Sequence, residues 1–370
     1  MKILFITESL DQKNGWGRYS LGLIKHLGEM NIELYVLCHK VFSTEPFRQI
    51  SGLPTALNFR TNYMFFLFHV VKILFYSRLE KPDMIHCVVE TYAPIAWLLS
   101  KYWGIPYVLT IHGSFAIKTL INPWYSLIQK RCYRQAQTIV AVSNYTKKRL
   151  LEKVWLENVV VIPNGVEQSF FSIQQTNTGE PMVLGVGALK HRKGFHVVLR
   201  ALAEVKRFIP DIKYYMVGST QDSKYRLYLR GIIHELGLEE TVVECGSIDE
   251  VELKKLYSIS RLFVLTPISD EYDFEGFGLV YLEANATGLP VIGTYNSGAE
   301  DAISDGKSGF LVPPESVSAL AEKILLVLQD SSVYNKLSQG GQVWAKSMLW
   351  TEIIKRYQKV YDLKRHSIYN

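Results

Sequence analysis

The pattern that opens this chain opens it twice, and that duplication restricts the fold more than any other feature. Ile3–Thr7 is a short apolar run of strand length. A loop follows, then Tyr19–Met30, with Leu23, Ile24, Leu27 and Met30 on one helical face. Residues 169–180 are polar and lose periodicity, which reads as a linker. The same order then returns as strand Met182–Gly187, loop Lys190–Gly194, helix Phe195–Phe208 and strand Lys213–Val217. Between the two openings, Ile32–Cys38, Met84–Val88, Tyr107–Ile111, Thr138–Val142 and Val159–Ile162 read as further strands. Strands alternating with helices mark βαβ units and a parallel sheet. At 370 residues the chain is too long for one ordinary core. The expectation is an α/β protein of two similar domains facing a cleft, 1–168 and 181–345, each a parallel sheet flanked by helices, joined by the linker 169–180. The remainder, 346–370, reads as a C-terminal helix able to cross back onto the first domain. Its stripe is Trp350, Ile353, Ile354, Tyr357, Val360 and Tyr361.

Composition excludes several classes. Cys38, Cys87, Cys132 and Cys245 are scattered, with no CxxC pair and no histidines at metal spacing, so reduced thiols and no zinc are expected. The first strand begins at once, without the leader of a secreted protein, so a cytoplasmic location is expected. The longest apolar stretch, Met64–Tyr76, is interrupted by His69 and Lys72 and falls short of the ~20 residues a spanning helix needs. Net charge is +6 but unevenly placed: 19 Lys+Arg against 11 Asp+Glu up to Glu167, then 22 against 24. A basic first half suits a phosphate-bearing acceptor, a membrane surface or nucleic acid, and it suits a merely solvated surface equally well.

Four segments carry chemistry. Asn14-Gly-Trp-Gly-Arg18 follows the first strand, but Ser20 replaces the third glycine of a dinucleotide fingerprint. The second strand ends in Cys38-His39-Lys40 with no acid to hold a ribose, which disfavours a nicotinamide cofactor. Gly15 and Gly17 remain as a loop where backbone can approach a ligand. Gly187-Ala-Leu-Lys-His-Arg-Lys-Gly194 places three cations at the carboxyl end of a strand, suited to a diphosphate or to a solvated turn. His112, in Thr110-Ile-His-Gly-Ser114, also ends a strand. Glu275 and Glu283 flank a glycine-rich turn and an apolar run at helical spacing. A helix from near Phe277 would put Glu275 at its mouth and Glu283 about two turns on. Asp270-Glu-Tyr-Asp273 reads as a solvated loop rather than a metal site, and Asp305-Gly-Lys-Ser-Gly309 as a turn.

In this order these segments resemble the retaining glycosyltransferases of family 4, which have two Rossmann-like domains in the GT-B arrangement. The resemblance also rests on Val142-Ser143-Asn144, Ile162-Pro-Asn-Gly-Val166, Gly288-Leu-Pro-Val-Ile292 and Ser297-Gly-Ala-Glu300. It implies transfer of a hexose-type sugar from a nucleotide diphosphate sugar to a hydroxyl of a glycan or lipid-linked acceptor, in cell-surface polysaccharide biosynthesis. Glu283 would bind the ribose, the Gly278 and Leu279 amides the phosphates, and Glu275 the sugar ring. Lys193 would stabilise charge on the departing diphosphate, and Ile248 would pack the base. Gly187, Arg192, Gly276 and Phe277 complete the implied donor site. His112, Gly15 and Gly17 would touch sugar and phosphate from the first domain. The sequence departs at Ala188, where the family commonly carries arginine; Arg192 is the neighbouring cation able to replace it. No protein nucleophile, cofactor or metal is implied, nor any nucleic-acid partner. A sugar-nucleotide epimerase and a silent nucleotide-sugar binder are the alternatives. The basic first half and the aromatic segment Tyr63–Tyr76 together suit a lipid-linked acceptor at an anionic inner membrane face, and Tyr63–Tyr76 suits a helix buried on the sheet at least as well.

Overall fold

The computed structural model describes residues 1–11, 15–39, 47–56, 80–121, 123–176, 180–219 and 223–362. Asn14 and the aromatic segment Tyr63–Tyr76 lie outside them. The chain forms two compact units, Met1–Gly165 with Trp350–Asn370, and Val166–Leu349.

In the first unit the described strands are β1 (Lys2–Ile6), β2 (Glu33–Cys38), β3 (Arg48–Ser51), β4 (Met84–Cys87), β5 (Tyr107–Ile111), β6 (Thr138–Ala141) and β7 (Val159–Val161). They make one parallel sheet in the order β3-β2-β1-β4-β5-β6-β7, with Leu4 beside both Tyr35 and Ile85. Ile3, Leu4, Phe5 and Ile6 are all fully buried. A parallel sheet covered on both faces needs such continuous apolar strands. The chain winds outward from β1 in one direction and from β4 in the other. Right-handed crossovers then put helix Gly15–Gly28 on one face and the helices after β4, β5 and β6 on the opposite face.

Helix Trp350–Asp362 packs on Gly15–Gly28. Its indole at Trp350 fills space that only glycine leaves: a Cβ on Gly22 or Gly165 would come within 2.3 Å of the ring. Trp350, Ile353, Ile354, Tyr357, Val360 and Tyr361 are all buried there. Each large apolar side chain so covered contributes roughly 1.5–3 kcal/mol.

The second unit has β8 (Met182–Val186), β9 (Lys213–Val217), β10 (Val242–Gly246), β11 (Leu262–Val264), β12 (Val291–Thr294) and β13 (Gly309–Val312). Their parallel order is β10-β9-β8-β11-β12-β13. The winding direction therefore reverses between β8 and β11.

Three boundaries differ from those expected. The units divide at Gly165/Val166, not after 168. The polar stretch from 169 is no spacer where it is described. Gln168–Ser172 is a 3-10 turn, Phe170 meets Tyr257 edge-on at 6.0 Å, and Gln175 donates to the carbonyls of Tyr257 and Thr287. Periodicity fails there because the segment is non-repetitive, not because it is loose. The last helix starts at Trp350 rather than 346, because helix Ser331–Ser347 ends first and Met348-Leu349 break the run.

Candidate functional site

In an open parallel sheet, ligands sit beyond the carboxyl ends of the strands at the point where the winding reverses. In the second unit that point is β8/β11, and the cationic loop and the Glu275 loop both arise there. After β8 the chain makes a 3-10 turn, His191–Lys193, closed by Gly194 at φ 70°. A Cβ on Gly194 would lie 1.8 Å from the Thr266 carbonyl oxygen. Glycine lets the two backbones touch, and the contact is sealed by Thr266 Oγ1 donating to the Gly194 carbonyl (2.9 Å) and the Ile268 amide donating to that of Arg192 (2.8 Å).

The Glu275 loop is clamped from its other side as well. The Gly298 amide donates to the Glu275 carbonyl (2.8 Å), and a Cβ on Gly298 would lie 2.3 Å from Gly276. Phe274, Gly276, Phe277 and Gly278 are buried. The helix begins at Leu279, close to the expected start near Phe277, with the left-handed Gly278 (φ 88°) as its N-cap. The first amides of Leu279–Ala286 thus follow directly on the Glu275 turn.

Lys193 runs past Gly187, whose Cβ would meet its stem at 3.4 Å, and Nζ donates to Glu275 Oε2 at 2.5 Å. Arg192 Nη1 donates to the same oxygen at 3.0 Å, which leaves Oε1 for a further donor. Burial alone would raise the Glu275 carboxyl, but Lys193 and Arg192 outweigh it and hold it at about 2. Burial pulls Lys193 below its usual value while Glu275 pulls it back up, and burial prevails. The cluster carries two positive charges and one negative, so it is net cationic before any ligand arrives.

Glu283 lies further along the helix, 2% exposed, and Tyr257 donates to its Oε2 at 3.1 Å. Ile248 is half-exposed between β10 and helix Glu250–Ile259, and Ala188 is half-buried beside Gly187. Asp270 caps its own loop, accepting from the Tyr272 and Asp273 amides. Among the described residues, no group of three or more His, Cys, Asp or Glu is disposed to hold a metal.

The remaining candidates lie in the first unit. Gly15 opens its helix with nothing within 4 Å of where a Cβ would stand; at Gly17 a Cβ would overlap the Asp11 carbonyl oxygen at 1.9 Å. His112 follows β5. Its Nε2 is 2.8 Å from the Val88 carbonyl, and its ring meets Tyr19 edge-on at 4.6 Å. Burial lowers its pKa to about 4. A neutral ring donating from Nε2 leaves Nδ1 as an acceptor, the polarity a hydroxyl donor needs.

Two partners were not foreseen from the sequence. Tyr257 is an aromatic 26 residues from Glu283, and nothing in its neighbourhood marks it. Glu90 is fully buried after β4, its Oε1 accepting the His112 amide at 3.3 Å, while Oε2 has no hydrogen-bond partner. Burial raises its carboxyl to about 7. Gly298 did leave a trace, in the turn Ser297-Gly-Ala-Glu300.

Comparison with known proteins bears on the family and the fold. The family model "Glycosyl transferases group 1" matches residues 166–344, and "Glycosyltransferase Family 4" matches 13–170. An uncharacterised glycosyltransferase of Methanocaldococcus jannaschii is 26% identical over 355 residues, 92% of each chain. A GDP-mannose-dependent α-(1-6)-phosphatidylinositol monomannoside mannosyltransferase of Mycolicibacterium smegmatis is 29% identical over 58% of this chain and 59% of its own. The solved structure of Anabaena HepE with UDP and glucose superposes with a TM-score of 0.80 at 19% identity, over 98% of this chain and 99% of that one. That likeness is one of fold, the GT-B pair of parallel-sheet units.

Proposed function

The chain belongs to glycosyltransferase family 4, and we propose that it transfers a hexose-type sugar, with retention, from a nucleotide diphosphate sugar to the hydroxyl of a lipid-linked or glycan acceptor. The observation that carries this reading is the Arg192–Lys193–Glu275 cluster at the β8/β11 reversal. Its cations are already oriented, so stabilising a departing diphosphate costs little reorganisation. The Gly278 and Leu279 amides at the following helix take the phosphates, and Glu283 takes the ribose hydroxyls. Gly187, Gly276 and Phe277 shape the donor pocket, and Ile248 packs the base. Glu275, held ionised at about 2, is a poor base and a poor nucleophile. That supports a role in orienting the sugar through Oε1. In the first unit, His112 keeps Nδ1 as an acceptor for a sugar hydroxyl; Gly15 leaves its backbone uncovered for an approaching ligand, while Gly17 lets the loop close on Asp11.

The bond from the anomeric carbon to the phosphate oxygen breaks with its electron pair going to the phosphate. The acceptor oxygen bonds to that carbon on the same face, and its proton passes to the leaving phosphate. Charge neutralisation falls to Lys193, Arg192 and the helix end, so we assign no cofactor or metal to this chemistry. Arg192, turned onto Glu275, supplies the second cation that Ala188 lacks. UDP in the Anabaena structure and the phosphatidylinositol mannoside in the Mycolicibacterium relative's name support a nucleotide donor and a lipid acceptor. We place the reaction at the cytoplasmic face of a membrane, in cell-surface glycan synthesis.

UDP- and GDP-sugars, assayed for nucleotide release with and without lipid-linked acceptors, test this. Transfer should require the acceptor, and Lys193→Ala or Glu275→Ala should lower turnover about 10²–10³-fold. Unchanged turnover in both variants overturns the assignment. Nucleotide release without any acceptor would favour the epimerase, and donor binding without release the silent binder.

A further inference from the structure

The positive charge of the first half is not spread over it. From Thr91 to Leu151 the sequence has eight Lys+Arg and no Asp or Glu. Outside this segment, the first half up to Glu167 is balanced, 11 against 11. The segment forms helices Ala93–Trp103, Ser114–Lys118, Pro123–Gln135 and Asn144–Leu151, which cross between β4, β5, β6 and β7 in one direction. Right-handed crossovers place all four on one face of the sheet. Their packing agrees, Ala93–Trp103 against Pro123–Gln135 and Ser114–Lys118 against Asn144–Leu151. Lys101, Lys118, Lys130, Arg131, Arg134, Lys147, Lys148 and Arg149 therefore share a single layer.

That layer also exposes apolar side chains: Tyr102 is 66% exposed, Ile121 48% and Leu127 67%. Leu127, Arg131 and Arg134 fall at i, i+4 and i+7, so one outward stripe of the third helix is apolar at one end and cationic at the other. We propose that this face is a docking surface for an anionic lipid bilayer. Cations alone would suit any polyanion. Leucine, isoleucine and tyrosine set among them suit a headgroup layer, where the charges meet lipid phosphates and the apolar groups enter the acyl boundary. The inference deepens the proposed function and rests on its lipid-borne acceptor. It assigns the contact to this layer instead of to Tyr63–Tyr76.

Co-sedimentation of the full chain with vesicles tests it. Binding should occur on phosphatidylglycerol–phosphatidylcholine vesicles, fall steeply with salt, and be absent on phosphatidylcholine alone. The triple variant Arg131→Gln, Arg134→Gln, Lys148→Gln should bind about a hundred-fold more weakly, roughly five-fold per charge, with unchanged circular dichroism and donor turnover. Leu127→Ser should weaken binding while keeping the salt dependence. Wild-type affinity in the triple variant, equal binding to both vesicle types, or a preference for a single-stranded oligonucleotide over vesicles overturns the proposal. Vesicle binding needs no nucleotide sugar. Loss of donor use with vesicle binding intact would overturn the enzymatic reading alone, and the converse the surface alone.

Discussion

Lys193 and Glu275 would each be unfavourable alone where they lie, since their side chains are only 11% and 12% exposed. Glu275→Ala leaves two cations facing a buried gap and should lower stability by about 3–5 kcal/mol in urea denaturation. Replacing the pair together, Lys193→Met with Glu275→Leu, should recover most of that stability and none of the turnover. If the double replacement is no more stable than Glu275→Ala, the cost came from packing and not from unpaired charge. Two carboxyls give opposite pH signatures. Glu275 lies below its ordinary 4.5, at about 2, so its contribution is present above that ordinary value and lost as pH falls toward 2. Glu90 lies above it, at about 7, so the fold favours its neutral form and stability is lost as pH rises from 4.5 to 7. Glu90→Gln should therefore flatten the stability profile between pH 5 and 7, removing a slope worth up to about 3 kcal/mol. An unchanged slope would show that another group titrates there. These residues also separate what the sequence disclosed from what it hid. Glu275, Glu283 and Lys193 were legible because glycines and cations at fixed spacing announce them. Glu90 and Tyr257 were not, because burial and long-range pairing leave no local pattern.

The loops that build the donor site depend on two glycines for different physical reasons. Gly194 is left-handed and also touches Thr266, so Gly194→Ala combines backbone strain with a clash against backbone. It should cost about 1–3 kcal/mol or more, read as a lowered Tm. Gly298 is ordinary helical backbone at φ −63°, so Gly298→Ala carries no strain of its own. Its Cβ would instead push Gly276 and, with it, the Glu275 turn. The loss should appear mainly in kcat/KM, at least about ten-fold, with a small change in Tm. Equal effects of the two variants on Tm and turnover would show that the loops do not act separately. At this scale the strands and glycine turns could be read from sequence, since apolar runs and Gly-X spacing are local. The helix start at Leu279, the break at Met348-Leu349 and the packed stretch from Gln168 could not. The first is set by the left-handed backbone at Gly278, the other two by tertiary contacts that override periodicity.

The chain leaves the first unit at Gly165 and re-enters it at Trp350, so that unit is discontinuous in sequence while Val166–Leu349 is continuous. The stripe on the last helix, able to cross back onto the first domain, was visible in the sequence; the residues it covers were not. It joins one cluster with Ile3, Phe5, Leu23, Val36 and Val108. It also completes a buried polar network, in which Tyr357 reaches Tyr19, and Tyr361 lies 2.8 Å from His86 Nδ1. His86 Nε2 in turn lies 2.9 Å from Thr110 Oγ1, and burial lowers His86 to about 3. Without the helix, an apolar face opens and a neutral buried histidine and a tyrosine hydroxyl lose partners, each worth about 1–3 kcal/mol. Trp350→Ala alone should cost about 3–5 kcal/mol. The fragment 166–349 should unfold cooperatively by itself, whereas 1–165 should not. Val166 pairs with Leu349, and its amide donates to the Met348 carbonyl at 2.9 Å, so the leaving and returning chains run side by side. A short glycine linker from Gly165 to Trp350 should therefore restore a cooperative transition to the first unit. If 1–165 folds as stably without the helix as with it, the returning segment is an accessory and not part of that core.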